Sequence, residues 1–170
     1  PRILQTAIQH AISKKGVAVV GLPGDVSELK AKENVTSNRF FFTQPLIRPN
    51  DQELQQLADL INENKKITIF CGIGAENAHA EVVQLSQQLK APVGYSFRGK
   101  MSMQHDNPNE VGMTGLLGLP SAYNSMCDSD LILLFGTDFP YQAFMPEKNK
   151  IAQVDLAPER LGRRAQVDLG

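Results

Sequence analysis

Apolar positions follow two rhythms along this chain, and the alternation between them predicts its architecture. Ile3, Leu4, Ala7, Ile8, Ala11 and Ile12 are spaced for one face of a helix over 2–14, and Gly16 is placed to stop it. The continuous run Val17-Ala18-Val19-Val20 reads as a strand buried on both faces, followed by a turn at Leu22-Pro23-Gly24-Asp25. Residues 27–49 keep no period, contain Pro45 and Pro49, and read as an interdomain linker. Asn50 or Asp51 can cap a helix whose apolar face is Leu54, Leu57, Ala58 and Ile61. Ile67 to Cys71 is a buried strand, Gly72 to Ala75 its turn, and 76–90 a helix with Ala80, Val83, Leu85 and Leu89 apolar. A strand at 92–97 precedes a glycine-rich stretch over 99–119 with little periodicity, and 120–128 reads as a short helix. Leu131 to Phe135 is the most apolar strand; further strands are expected at 151–155 and 165–169, with a turn at 157–160 between them. Strands separated by helices imply βαβ units. The expected fold is α/β, a doubly wound, Rossmann-like parallel sheet of about six strands with helices on both faces.

Composition narrows the function classes. The 170 residues suit one domain or one domain plus a fragment. With 42% hydrophobic and 21% charged residues, the chain can bury an ordinary core. A formal net charge of −1 gives no electrostatic reason to expect nucleic acid as a partner. Cys71 and Cys127 suggest neither a disulfide framework nor a zinc site, and a reducing cytoplasm is the natural compartment. No apolar run approaches the roughly 20 residues of a membrane span. The chain opens on Pro1 without a signal-peptide pattern and stops as a strand is finishing, so both ends read as boundaries inside a longer polypeptide.

Open α/β sheets bind ligands at the carboxyl ends of their strands, so candidate chemistry is sought there. Gly72-Ile73-Gly74-Ala75-Glu76-Asn77 starts like a dinucleotide fingerprint, with Asn77 in place of the third glycine; the glycines serve either a close ligand approach or simply a tight turn. Arg98-Gly99-Lys100 can neutralise a pyrophosphate or form a solvated charged turn. The segment 112–118, with Thr114, Gly115, Leu116 and Leu117, either lies against a flat ring or is a well-packed turn. Thr137, Asp138, Phe139, Pro140 and Tyr141 bring a hydroxyl, a carboxylate and two rings to the end of the most buried strand. Asp155 can accept from a ribose hydroxyl, although taken alone it reads first as a cap for the turn at 157–161. His10, His79 and His105 lack ligand spacing, so no metal is expected, and no nucleophile elbow or Walker loop occurs. The chain therefore reads as a cofactor-holding domain without catalytic residues of its own.

Several separate motifs, in order, resemble one family. They are Phe97-Arg98-Gly99-Lys100, Asp106-Asn107-Pro108, 111–118, 135–144 from Phe135-Gly136-Thr137-Asp138 to Phe144, and Gln153-Val154-Asp155-Leu156-Ala157-Pro158. Together they resemble the middle domain of thiamine-diphosphate-dependent pyruvate oxidases, the quinone-type pyruvate dehydrogenases. Gly21-Leu22-Pro23-Gly24-Asp25-Val26 is similar to the end of that family's pyrimidine-binding domain. The resemblance implies three parts: a fragment of the first domain at 1–26, a linker at 27–49, and a central FAD-binding domain at 50–170, shortened at its C-terminal end. It implies FAD contacts at Gly72 or Gly74, Arg98, Thr114 to Leu117, Thr137 to Tyr141, and Asp155. Thiamine diphosphate and Mg2+ would be held by parts of the parent outside this chain. The parent would be a homotetramer decarboxylating pyruvate and passing electrons through FAD to a quinone or oxygen, with at most a peripheral membrane contact. The family also includes acetohydroxyacid synthases with non-redox FAD and members with other nucleotides or none, so an assembly domain with an empty pocket is the alternative.

Overall fold

The computed structural model describes residues 2–31, 39–43 and 46–170. These fall into two compact units, divided between Arg48 and Pro49.

The first unit opens with helix α1 (Arg2–Ser13), as its spacing predicts. The Gly16 amide closes it by donating to the Ala11 carbonyl at 2.9 Å. No residue of α1 is buried. The expected strand at 17–20 does not form: Val17 and Val19 are each 91% exposed and pair with no strand among the described residues. A short apolar run becomes a strand only where a neighbour supplies hydrogen bonds, and the described residues of this unit supply none. The expected turn at 22–25 is displaced into a single helical turn, α2 (Gly24–Ser27), in which the Ser27 hydroxyl donates to the Gly24 carbonyl at 2.7 Å. Of the expected linker, 32–38 and 44–45, with Pro45, lie outside the described residues.

The second unit opens with helix α3 (Asp51–Glu63), and Asn50 is its cap. The Glu53 amide donates to Asn50 Oδ1 at 2.9 Å and the Asn50 amide to Glu53 Oε2 at 2.8 Å, a reciprocal box that satisfies two donors the helix cannot. Next come β1 (Ile67–Cys71), α4 (His79–Leu89), β2 (Val93–Tyr95), α5 (Lys100–Met103), β3 (Glu110–Met113), α6 (Pro120–Cys127), β4 (Leu131–Phe135) and β5 (Lys150–Val154). All strands are parallel, in the order β3-β2-β1-β4-β5, with Ile67 opposite Leu131 and Leu131 opposite Lys150.

Alternation along the strands divides the core into two layers. Ile67, Ile69, Cys71, Leu131 and Leu133 pack beneath Leu57, Leu60 and Ile61 of α3 and Val82, Leu85 and Leu89 of α4. Phe70, Ile132, Leu134 and Ile151 pack with Met126 of α6, Phe139 and Met145 on the other face. The sheet is therefore doubly wound, as expected, but it has five strands rather than about six.

Three boundaries differ from expectation. The segment expected to be irregular at 99–119 contains α5 and β3; β3 is a half-buried edge strand with Glu110 and Gly112 in it, so it carries no apolar run. The last expected strand, 165–169, is reduced to one bridge between Ala152 and Leu169. The helix expected from 76 begins at His79, because 73–75 form a tighter turn in which the Ala75 amide bonds the Gly72 carbonyl and the Glu76 amide bonds Ile73.

Candidate functional site

The chain leaves β1 through α4 toward β2 on one side, and reaches β4 through α6 on the other. The strand order therefore reverses between β1 and β4, where a doubly wound sheet opens a crevice at its carboxyl edge. The two loops at this point are 72–77 and 136–141.

Their glycines serve each other. The Gly72 amide donates to the Phe135 carbonyl and the Gly74 amide to the Gly136 carbonyl, both at 2.9 Å. A Cβ on Gly74 would meet Gly136 Cα at 2.7 Å, and one on Gly136 would meet the Gly74 backbone at 2.5 Å. Gly136 also has φ +56°, a conformation that side-chain-bearing residues adopt at a cost. The resemblance to a phosphate-binding glycine loop thus has a local explanation. Two backbones cross at van der Waals contact, and the amides of Gly72 and Gly74 are already engaged.

Beyond β2, Arg98 is exposed, and no hydrogen bond or ion pair engages it among the described residues. It lines a shallow open cleft of about 350 Å³ with Ile73, Glu76, Asn77, Met101, Ser102 and His105. His79 Nδ1 donates to the Ser102 carbonyl at 2.7 Å, and its ring stacks on His105 with centroids 4.3 Å apart. Gly99 lies so close to β1 that an added Cβ would stand 2.6 Å from the Cys71 carbonyl oxygen. The backbone that carries Arg98 is therefore held tightly against the strand end.

Beyond β3, Thr114 and Gly115 are buried while Leu116 and Leu117 project, 71% and 76% exposed. Beyond β4 the five expected residues divide. Thr137 and Phe139 are buried, and Phe139 packs edge-on against Phe70 and against Tyr141. Pro140 and Tyr141 face outward. Asp138 is bridged: Arg164 Nε donates to its Oδ1 at 2.8 Å and Arg163 reaches its Oδ2 at 3.1 Å. The hydrogen bond from Arg164, reinforced by the charges of Arg163, Arg164 and Arg160, holds the Asp138 carboxyl below its ordinary range against a smaller opposing effect of burial.

Beyond β5, the two oxygens of Asp155 differ, and the cap reading holds for one of them. Oδ1 accepts from the Ala157 amide at 2.9 Å, capping the turn, with Arg160 at 3.7 Å. Oδ2 is buried and has no hydrogen-bond partner, on a side chain only 3% exposed. It is the one buried side-chain polar atom among the described residues without a hydrogen-bond partner, and a carboxylate oxygen left so is costly. Chemically, the edge offers a free cation at one end, a free acceptor at the other and apolar side chains at the rim. No group of three or more metal-ligating side chains occurs among the described residues. Cys71, buried in the sheet, has its thiol pushed up to about 12 and is unreactive.

The family model for the thiamine pyrophosphate enzyme central domain matches residues 54–170. The chain belongs to this family. Among relatives of this central domain is an uncharacterized 42.6 kDa protein in the isoamylase 3′ region of Pseudomonas amyloderamosa, 45% identical over all of this chain and 43% of its own length. A pyruvate oxidase of Lactiplantibacillus plantarum is 27% identical over 99% of the chain and 29% of its own length. An acetolactate synthase of Arthrospira platensis is 26% identical over 99% of the chain and 32% of its own length. The chain thus spans less than half the length of these curated relatives. An X-ray structure described as a thiamin diphosphate-dependent enzyme from Mycobacterium smegmatis superposes over 99% of the chain and 34% of its own, with a TM-score of 0.74 at 21% identity, and so shares the fold.

In this central domain, sequence reasoning missed Gln153 and the arginines. Gln153 is buried; its Nε2 donates to the carbonyls of Thr137 and Arg160, and its Oε1 accepts from the Gly162 amide at 3.0 Å. The signal was a lone polar residue inside an apolar strand, a pattern that calls for partners. Arg163 and Arg164 carried no comparable signal, because only folding brings them to Asp138.

Proposed function

We propose that this chain holds FAD along its strand-end edge, as the central domain of a thiamine-diphosphate-dependent pyruvate oxidase. The observation that carries this reading is the unpartnered Oδ2 of Asp155. It is a buried acceptor just beyond the carboxyl end of β5, on the edge along which a nucleotide-binding sheet takes its ligand, and this supports a role toward a ribose hydroxyl. The other residues fit the same group. Arg98 would neutralise phosphate, and the projecting Leu116 and Leu117, with Pro140 and Tyr141, would cover apolar ring surface. Gly72, Gly74, Thr137 and Phe139 would shape the wall from beneath. When bound, FAD would supply two-electron redox chemistry; the chain's own residues would orient it. The relative named pyruvate oxidase supports the oxidase reading. In the parent, thiamine diphosphate and Mg2+ would be held outside this chain, pyruvate would be decarboxylated, and a quinone or oxygen would take the electrons. The parent is proposed to be a cytoplasmic homotetramer with at most a peripheral membrane contact; no described helix is long and apolar enough to cross a membrane.

A second reading, a synthase with FAD that undergoes no net redox change, is favoured by the relatives named acetolactate synthases. One experiment separates the readings. The full-length polypeptide is purified, its absorbance spectrum recorded, and pyruvate added anaerobically with thiamine diphosphate and Mg2+. The oxidase reading expects a yellow protein that bleaches. A yellow protein that stays oxidised supports the synthase, and a colourless one that takes up no FAD leaves an assembly domain with an empty pocket.

A further inference from the structure

The loops that follow β4 and β5 are joined twice by side chains. At the lower level, Gln153 spans them from within β5. Its amide nitrogen donates to the Thr137 carbonyl at 3.3 Å and to the Arg160 carbonyl at 3.2 Å, while its oxygen takes the Gly162 amide. All the hydrogen-bonding capacity this buried amide can readily use is spent on holding two stretches of backbone together. At the upper level, Asp138 from the first loop meets Arg163 and Arg164 from the second. Arg164 is the better partner, with Nε at 2.8 Å and its second nitrogen at 3.5 Å from the other carboxylate oxygen. Asp155, tied through Oδ1 to the Ala157 amide and Arg160 of the same turn, keeps its Oδ2 without a partner.

We propose that Asp138 is a positioning residue rather than a ligand contact, and that with Gln153 it forms a two-level clamp. The clamp fixes the 137–141 loop against the 157–164 turn and so holds the Asp155 carboxylate in place. Two features argue for this. First, both oxygens of Asp138 already accept from guanidinium groups that neutralise the carboxylate, so a ligand hydroxyl or amide would compete there with two arginines. Asp155 Oδ2, by contrast, has no partner for a ligand to compete with. Second, among the described residues no backbone hydrogen bond joins 137–141 to 157–164. The 157–164 turn contains no regular element longer than the three residues Pro158–Arg160, and Gly162 within it has φ +69°. Within the turn the Arg160, Leu161 and Arg163 amides bond the Ala157, Pro158 and Arg160 carbonyls, and among the described residues the hydrogen bonds that tie it to the 137–141 loop are those of Gln153 and Asp138. The clamp therefore decides how far apart the walls of the crevice stand at the β4–β5 end.

The test is hydrogen exchange on the ligand-free full-length polypeptide, with Asp138→Asn, Arg164→Gln and the double variant. The clamp requires each single change to accelerate exchange in both segments, 137–144 and 157–164, by roughly two- to fivefold, the range of a partly exposed ion pair. It also requires the double variant to exchange no faster than the faster single, because both changes break one bridge. Gln153→Leu should produce the same footprint, at about tenfold or more. FAD affinity, read by flavin fluorescence, should then fall by the same two- to fivefold in Asp138→Asn and Arg164→Gln. A footprint confined to one segment, or additive effects, would overturn the clamp. So would a loss of FAD affinity in Asp138→Asn with exchange unchanged, since that marks a direct contact. The affinity arm rests on the FAD reading above. If the unaltered polypeptide binds no FAD, that reading fails, and exchange alone decides the clamp.

Discussion

Gly136 illustrates how a single residue can carry a structural demand that is easily mistaken for a functional one. Its φ of +56° alone costs a substituted residue about 1–2 kcal/mol, and a Cβ would also stand 2.5 Å from the Gly74 backbone. Gly136→Ala is expected to destabilise the 170-residue chain by about 3 kcal/mol or more, read as a shift in the urea midpoint. A loss below about 1 kcal/mol would show that the two loops can separate without harm. Arg98 poses the opposite case, an exposed cation with no structural partner. In the full-length polypeptide, Arg98→Ala should weaken FAD binding by about tenfold or more, the loss of a charge-assisted contact worth roughly 1.5–3 kcal/mol. Lys148→Ala, in a polar loop, should leave the affinity unchanged. Equal dissociation constants for the two variants would remove Arg98 from the site.

Elements interact here through charges as well as through the sheet. The Asp138 carboxyl is held below its ordinary value of 3.8 by the Arg164 hydrogen bond. Its contribution to stability is thus fully present above that value and is lost as pH falls through the lower folded value. The side chain is a quarter exposed, so the amount is modest, at most about 1 kcal/mol. Unfolding free energies measured from pH 6 down through about pH 3 should therefore decline more steeply for the unaltered chain than for Asp138→Asn. Parallel curves would mean that the bridge contributes nothing in solution. The edge strand β3 gives a different lesson at this scale. It forms because β2 offers a free side, with Tyr95 opposite Met113 and the Tyr95 hydroxyl donating to Glu110. That neighbour, rather than any apolar run in 110–113, is what makes the segment a strand.

The whole molecule leaves much of its candidate site uncovered. Phe97, Met101, Leu116, Leu117 and Leu119 are each more than 65% exposed along the strand-end edge, and relatives are more than twice the length of this chain. A flat ligand held from one side only loses contact area and pre-organisation, and each 1.4 kcal/mol lost costs about tenfold in affinity. The 170-residue chain should therefore bind FAD at least about tenfold more weakly than the full-length polypeptide, and should not turn over pyruvate even with thiamine diphosphate and Mg2+ added. Isothermal titration of both proteins, with a pyruvate-consumption assay beside it, checks the two expectations. Equal affinity would show that the pocket is complete within this chain.

The sequence by itself determined the doubly wound sheet, the capped helix at Asn50 and the strand ends where candidate residues gather. Those features follow from local period and capping chemistry, which depend on residues a few positions apart. Tertiary structure decided the rest. Val17 to Val20 had the composition of a strand but no neighbour to pair with, whereas 110–113 lacked that composition and had one. The glycines of 72–74 met those of 136 across more than sixty residues, so their use could not be read from either loop alone. Asp138 and Asp155 looked alike as acidic residues after strands. Only the return of the chain at 160–164 filled both oxygens of the first and left one oxygen of the second without a partner.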